Sequence, residues 1–104
     1  MRRVFNLFRS KDPVAERLNW LRANGRIVEG EIIELVGADG QLFDPKAEQP
    51  GPCYAHYEYS ISGVTYESAQ ELLPEQIGQL ENFLPGTAIS VRYDPRSPGS
   101  SVME

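Results

Sequence analysis

Residues 53–69 read CYAHYEYSISGVTYESA, and this stretch decides the fold. Cys53, Ala55, Tyr57, Tyr59 and Ile61 alternate with Tyr54, His56, Glu58 and Ser60. That is the period-two pattern of a strand with one buried face. Ser62-Gly63 follows as a two-residue hairpin turn, with glycine supplying the positive φ that such turns need. So tight a turn fixes the register: Ile61 opposes Val64, Tyr59 opposes Tyr66, and Glu58 opposes Glu67. Aromatic and β-branched cross-strand pairs contribute roughly 0.2–1 kcal/mol each. The odd-numbered face of 53–61 is therefore expected to line the core.

Upstream, RIVEGEIIELV (26–36) is expected to be a strand, with Val28, Gly30 and Ile32 on one face and Glu29 and Glu31 on the other. Ile32-Ile33 breaks the alternation, which predicts a bulge or a strand that curls; Gly30 fits the same idea. GADGQLFDPKAEQPGP (37–52) reads as a long mobile loop. Before the strand, DPVAERLNWLRANG predicts a helix over 13–24. Asp12 is the cap, Pro13 the first helical residue, and Gly25 the stop, with Val14, Leu18 and Leu21 as its apolar stripe. MRRVFNLFRSK (1–11) is left as a basic, aromatic arm.

Downstream, PEQIGQLENFLPG (74–86) reads as one short helix striped by Ile77, Leu80, Phe83 and Leu84. TAISVRYD (87–94) is the next strand, with Ile89, Val91 and Tyr93 on one face. At VRYDPRSPGSS (91–101), Asp94 can bond the backbone ahead of it, while Pro95 and Pro98 remove ladder donors. The chain must turn, and residues 100–103 form a last short strand. The expected class is α+β, mostly β: a strongly bent five-stranded antiparallel sheet or small barrel, OB-like or SH3-like. One helix precedes the first strand and another joins the third and fourth. A single domain is expected over 12–104, its β-part over 26–103.

The chain has 104 residues, 40% hydrophobic and 24% charged, an ordinary globular composition. No apolar run approaches the roughly 18 residues needed to span a bilayer, and VFNLF is too short and polar for a signal-peptide core. The expected location is the cytoplasm, with the inner membrane face as the alternative. A single cysteine and a single histidine cannot build a four-ligand zinc site. The net charge of −5 is unevenly spread. Residues 1–26 hold seven of the ten Lys and Arg against two acids, so the rest of the chain is strongly acidic. Such a body repels nucleic acid.

Three stretches share one pattern: ANGRIVEGEIIEL, YEYSISGVTY and PGTAISVRYDPRSPGSSV. Together, over about residues 23–103, they resemble the bacterial domain-of-unknown-function family 3592. The YDPxxP ending after a PG-initiated strand is the most specific element. The resemblance implies a small β-rich domain and brings no catalytic residue with it. Many relatives carry transmembrane helices beside the domain; this chain has the basic arm and helix 13–24 instead.

Among candidate chemistries, a Cys53–His56 dyad fails on geometry, because residues three apart on a strand point to opposite faces. Glu58 and Glu67, with Glu29 and Glu31 nearby, form an acidic face that could hold a hard cation or raise one carboxyl pKa. Its ordinary reading is a solvated surface. The tyrosines at 57, 59 and 66 are core residues rather than a base-stacking platform. No cofactor motif is present, and an enzyme is not expected. The expected function is a non-catalytic module binding a protein partner, of basic character, through Glu29, Glu31, Glu58, Glu67, His56, Asp39 and Asp44. The arm residues Arg2, Arg3, Phe5, Phe8, Arg9 and Lys11 suit an anionic lipid surface, or weak self-association in which one chain's arm meets another's acidic body. The plain alternative is a frayed terminus.

Overall fold

The computed structural model describes residues 13–48 and 50–104. The expected helix cap Asp12 and the whole basic arm lie outside the described residues. Helix α1 (Pro13–Asn24) leads into β1 (Arg26–Gly37), β2 (Cys53–Ile61) and β3 (Val64–Glu71). A four-residue helix α2 (Pro74–Ile77) and a 3-10 turn (Leu80–Asn82) connect to β4 (Ala88–Asp94) and β5 (Ser97–Met103). The strands form one antiparallel sheet in the order β3-β2-β1-β4-β5. Its two ends curl together, because β3 and β5 also pack against each other. A nearly closed five-stranded barrel with a helical link after β3 matches the OB-like alternative.

The hairpin forms in the expected register, with Ile61 opposite Val64, Tyr59 opposite Tyr66 and Glu58 opposite Glu67. Ser62 and Gly63 both take positive φ, 53° and 84°, as a two-residue turn of this hand requires. Cys53, Ala55, Tyr57 and Tyr59 are buried and centre the core, joined by Ile32, Leu72, Val91 and Met103. Strand β1 serves two neighbours: residues 26–31 pair with β4 and residues 30–37 with β2. The bulge falls at Ile33, where the β1–β2 register slips between Ile32 and Glu34.

Side chains of β2 and β3, rather than a ladder, tie the β2–β3 hairpin to β5 where the barrel closes. Tyr57 Oη and Ser101 Oγ lie 2.8 Å apart, and Tyr59 Oη donates to the Pro98 carbonyl at 2.5 Å. The Met103 amide donates to Gln70 Oε1 at 2.8 Å. The stretch VRYDPRSPGSS now has its explanation. Asp94 Oδ1 accepts from the Arg96 amide to make the turn, and its Oδ2 accepts from Arg17 at 2.6 Å. Arg17 also donates to Ser100 Oγ at 3.0 Å and lies over the Trp20 ring. One arginine thus clamps α1 onto the β4–β5 hairpin. Leu21 of α1 and Val102 of β5 are fully buried outside the main core, on the side where α1 packs against β4 and β5.

Four expectations need correction. The stretch 74–86 is not one helix: it stops at Gly78, and Gln79 leaves helical φ/ψ before the 3-10 turn begins. At the start of this helix the Leu73 amide is capped by Gln76 Oε1 at 2.7 Å. Leu84 stays exposed, whereas Ile77, Leu80 and Phe83 pack on the core. The loop after β1 is anchored where it starts: Leu42 bridges back to Val36, the Phe43 amide donates to the Leu35 carbonyl, and Phe43 packs on the core. The final strand begins at Ser97, three residues earlier than expected. The stripe of α1 is only partly buried: Leu21 is covered, while Val14 is 66% exposed.

The Arg17–Asp94 clamp gives a pH prediction. The Arg17 hydrogen bond, with the Arg96 amide behind it, holds the Asp94 carboxyl below its ordinary value of 3.8. A depressed carboxyl adds stability above its unfolded pKa and loses it as pH falls through the folded value. Arg17→Met is therefore expected to be less stable than the parent at neutral pH, with the gap closing below about pH 4. Urea unfolding at pH 7 and pH 3 checks this; an equal gap at both would contradict it. Arg17 is partly exposed, so added salt should also narrow the gap.

Candidate functional site

The core takes the odd residues of β2, so the even ones point outward. Glu58 lies between two carboxylates, opposite Glu31 on β1 and opposite Glu67 on β3. With strands about 4.8 Å apart, Glu67, Glu58 and Glu31 form a lateral row. Glu29 stands two residues along β1 on the same face, over a shallow depression lined by Glu29, Glu31, Glu58 and Ser60. Glu29, Glu31 and Glu67 are exposed and Glu58 is half-buried. None of the four takes part in an ion pair among the described residues. Like charges directly opposite on a sheet cost stability, so the fold carries this row at a penalty.

His56 sits two residues along β2 from Glu58, but it is paired. Its Nδ1 lies 3.3 Å from Glu34 Oε2. The sequence reading missed Glu34 because strict alternation from Ile32 places it inside the barrel. The extra residue at Ile33 turns it outward, opposite His56; the Ile32-Ile33 break was the available signal. Asp39 and Asp44 do not join the face. Asp39 Oδ1 accepts from the Gln41 amide at 3.0 Å, and Asp44 Oδ1 accepts from the Lys46 amide at 2.9 Å. Both are turn-making side chains of the loop beyond Gly37. The arm residues Arg2, Arg3, Phe5, Phe8, Arg9 and Lys11 lie outside the described residues.

The remaining candidate chemistries can be placed. Cys53 is fully buried, and burial pushes its thiol pKa up, away from the reactive thiolate. His56 points to the opposite face, so the two share no proton. Among the described residues, no three His, Cys, Asp or Glu side chains lie close enough together to hold a metal ion. The acidic row is an extended line rather than a cage. Also among the described residues, no helix is long and apolar enough to cross a membrane.

A second surface feature lies beside the row. A groove of about 640 Å³ separates α1 (Val14, Ala15, Leu18, Asn19, Arg22) from the end of β3 and the residues after it, 69–74. Ala69 and Glu71 follow Glu67 along the outer side of β3, so the groove continues the acidic face toward the seam.

The family model described as "Domain of unknown function (DUF3592)" matches residues 23–104. No curated protein and no solved structure matches the chain.

Proposed function

Since the chain belongs to the DUF3592 family of domains of unknown function, which assigns it no chemistry, we propose from its surface that it is a non-catalytic module whose acidic outer face binds a basic protein partner. The observation that carries this reading is the row Glu67–Glu58–Glu31, flanked by Glu29 and unpaired among the described residues. A like-charge row costs folding stability, and an opposing cationic surface would relieve that cost. Such contacts set partner choice and association rate more than raw affinity, and they weaken in salt.

The topology adds a supporting point. In OB-like barrels the outer face of the second and third strands is a common oligonucleotide site. Here that face carries Glu58 and Glu67, with Glu31 beside them, so it repels a phosphate backbone. Membrane attachment through the arm and α1 has weaker support. The exposed side of α1 mixes Val14 and Trp20 with Glu16, Asn19 and Arg22, and Arg17 is engaged with Asp94.

Glu58→Gln tests the reading, because it removes both repulsions at once. The variant is expected to gain roughly 0.5 kcal/mol, a difference that fades in high salt. It should also lose those proteins that the parent chain captures from a host lysate at low salt but not at moderate salt. An unchanged set of captured proteins would overturn the proposal even if the stability gain appeared.

A further inference from the structure

We propose that the partner of the acidic row is a second copy of this chain, which meets the row with the arginine-bearing half of its own barrel. The inference rests on the reading of the row as a docking face. Opposite charges are sorted by place in this fold. Residues 13–26 and 88–104 build α1, its exit into β1 and the β4–β5 hairpin. They hold five arginines, Arg17, Arg22, Arg26, Arg92 and Arg96, against three acids, Glu16, Asp94 and Glu104. Two of those acids are already paired, Asp94 with Arg17 and Glu104 with Arg92. Residues 27–87, by contrast, hold eleven acids against Lys46 alone.

Arg22, Arg26 and Arg96 are exposed and take part in no ion pair among the described residues. They do not meet the row of their own chain. Helix α1 packs on β4 and β5, and Arg26 lies opposite Tyr93 of β4, whereas the row crosses β3, β2 and β1 in the other half of the sheet. The same helix carries Trp20, 42% exposed, with the Arg17 guanidinium 5.0 Å from its ring centroid. Tryptophan and arginine are enriched at the centres of protein interfaces. Unpaired carboxylates and unpaired guanidinium groups on different halves of one molecule are complementary between molecules. Because the two faces differ, the contact is heterologous: each copy offers its row to one neighbour and its arginines to another. A net charge of −5 sets a general repulsion between copies, so the attraction comes from the local match, the association is weak, and salt weakens it further.

Sedimentation velocity of the full chain tests this. At low salt the mean sedimentation coefficient is expected to rise with protein concentration; at moderate salt it should hold at the monomer value. Arg22→Ser with Arg26→Ser should remove the concentration dependence, and so should Glu58→Gln with Glu67→Gln. None of the four side chains is fully buried or ion-paired among the described residues, so both variants are expected to fold. A mixture of the two variants decides the geometry. One keeps the row and the other keeps the arginines, so together they should associate and stop at a dimer, whereas the parent goes on to larger species. Lys46→Ser, which removes a cation from the loop after β1, should leave the parent's behaviour unchanged. A monomer at every concentration in low salt would overturn the inference. So would association that survives the arginine substitutions or fails to return in the mixture. Capture from lysate that depends on Glu58, found together with a monomeric chain, would keep the row as a docking face and remove the second copy as its occupant; loss of both would remove both.

Discussion

Tyr59→Ala is expected to cost about 4 kcal/mol and to leave the domain close to unfolded at room temperature. Tyr59 is 2% exposed, and its ring stacks on Tyr57, Tyr66 and Tyr93 at centroid distances of 6.1, 5.7 and 6.4 Å. These partners come from β2, β3 and β4, and the phenol reaches β5 through the Pro98 carbonyl. One side chain therefore touches four of the five strands. Truncating a buried aromatic removes its transfer energy and leaves a cavity. Here it also removes the donor to Pro98, at the seam where no ladder closes the barrel. A domain of this size has about 5–15 kcal/mol in all. Tyr59→Phe separates the contributions: it keeps the ring and loses about 1 kcal/mol for the hydrogen bond. Denaturant unfolding followed by circular dichroism reads both. A loss below about 1.5 kcal/mol for Tyr59→Ala would show that the tyrosine stack is not the centre of the core.

The same tyrosine has an alkaline signature. Burial pushes the Tyr59 phenol above its ordinary value of 10.0, against a smaller lowering by a Ser101 hydrogen bond and with still smaller upward contributions from Tyr57 and Tyr66. A raised pKa adds stability below the unfolded value, and that stability is lost as pH rises through the folded value. The phenol thus stays a donor to Pro98 at neutral pH, and its contribution begins to fall only above about pH 10.

What the sequence made legible was local or periodic. CYAHYEYSISGVTYESA carries its strand period, its turn and its register within seventeen residues, and each was readable because a two-residue turn leaves no freedom. The Glu58–Glu67 juxtaposition followed from that register alone. Glu31 joined the row only through the β1–β2 pairing, which the order of elements suggested but could not align. Glu34 was hidden because a bulge residue inverts the alternation downstream, and nothing in the sequence says whether the extra residue is Ile32 or Ile33. The Arg17–Asp94 clamp spans 77 positions; no periodicity connects them, and Arg17 on its helix looks like any solvated cation. PEQIGQLENFLPG misled for the opposite reason. Its apolar spacing is helical, but Gly78 and the need to bring Ile77, Leu80 and Phe83 onto the barrel together favour two short turns.

Gly30→Ala is expected to cost about 3 kcal/mol, near the upper end for overpacking. Gly30 is where β1 changes neighbours: it lies opposite Tyr59 of β2 and Ile89 of β4 at once. A methyl group there would meet the Glu58 carbonyl oxygen at 2.7 Å and Val91 Cγ2 at 2.9 Å. The first contact is with backbone held in the β1–β2 ladder and cannot yield without shifting the strand. The second is with a fully buried side chain. The penalty should therefore appear as a weakened barrel rather than a local adjustment, with Tyr57 and Tyr59 both losing protection in hydrogen exchange. Gly78→Ala is the matched control. Its φ is −68° and its added carbon would approach nothing closer than 3.5 Å. That variant is expected to be neutral, or to gain a few tenths of a kcal/mol from a less flexible unfolded chain. If the two substitutions proved equally mild, the curl of β1 would have to arise from the Ile33 bulge alone. The acidic row would then owe its alignment to that bulge and not to the close crossing of β1, β2 and β4 at Gly30.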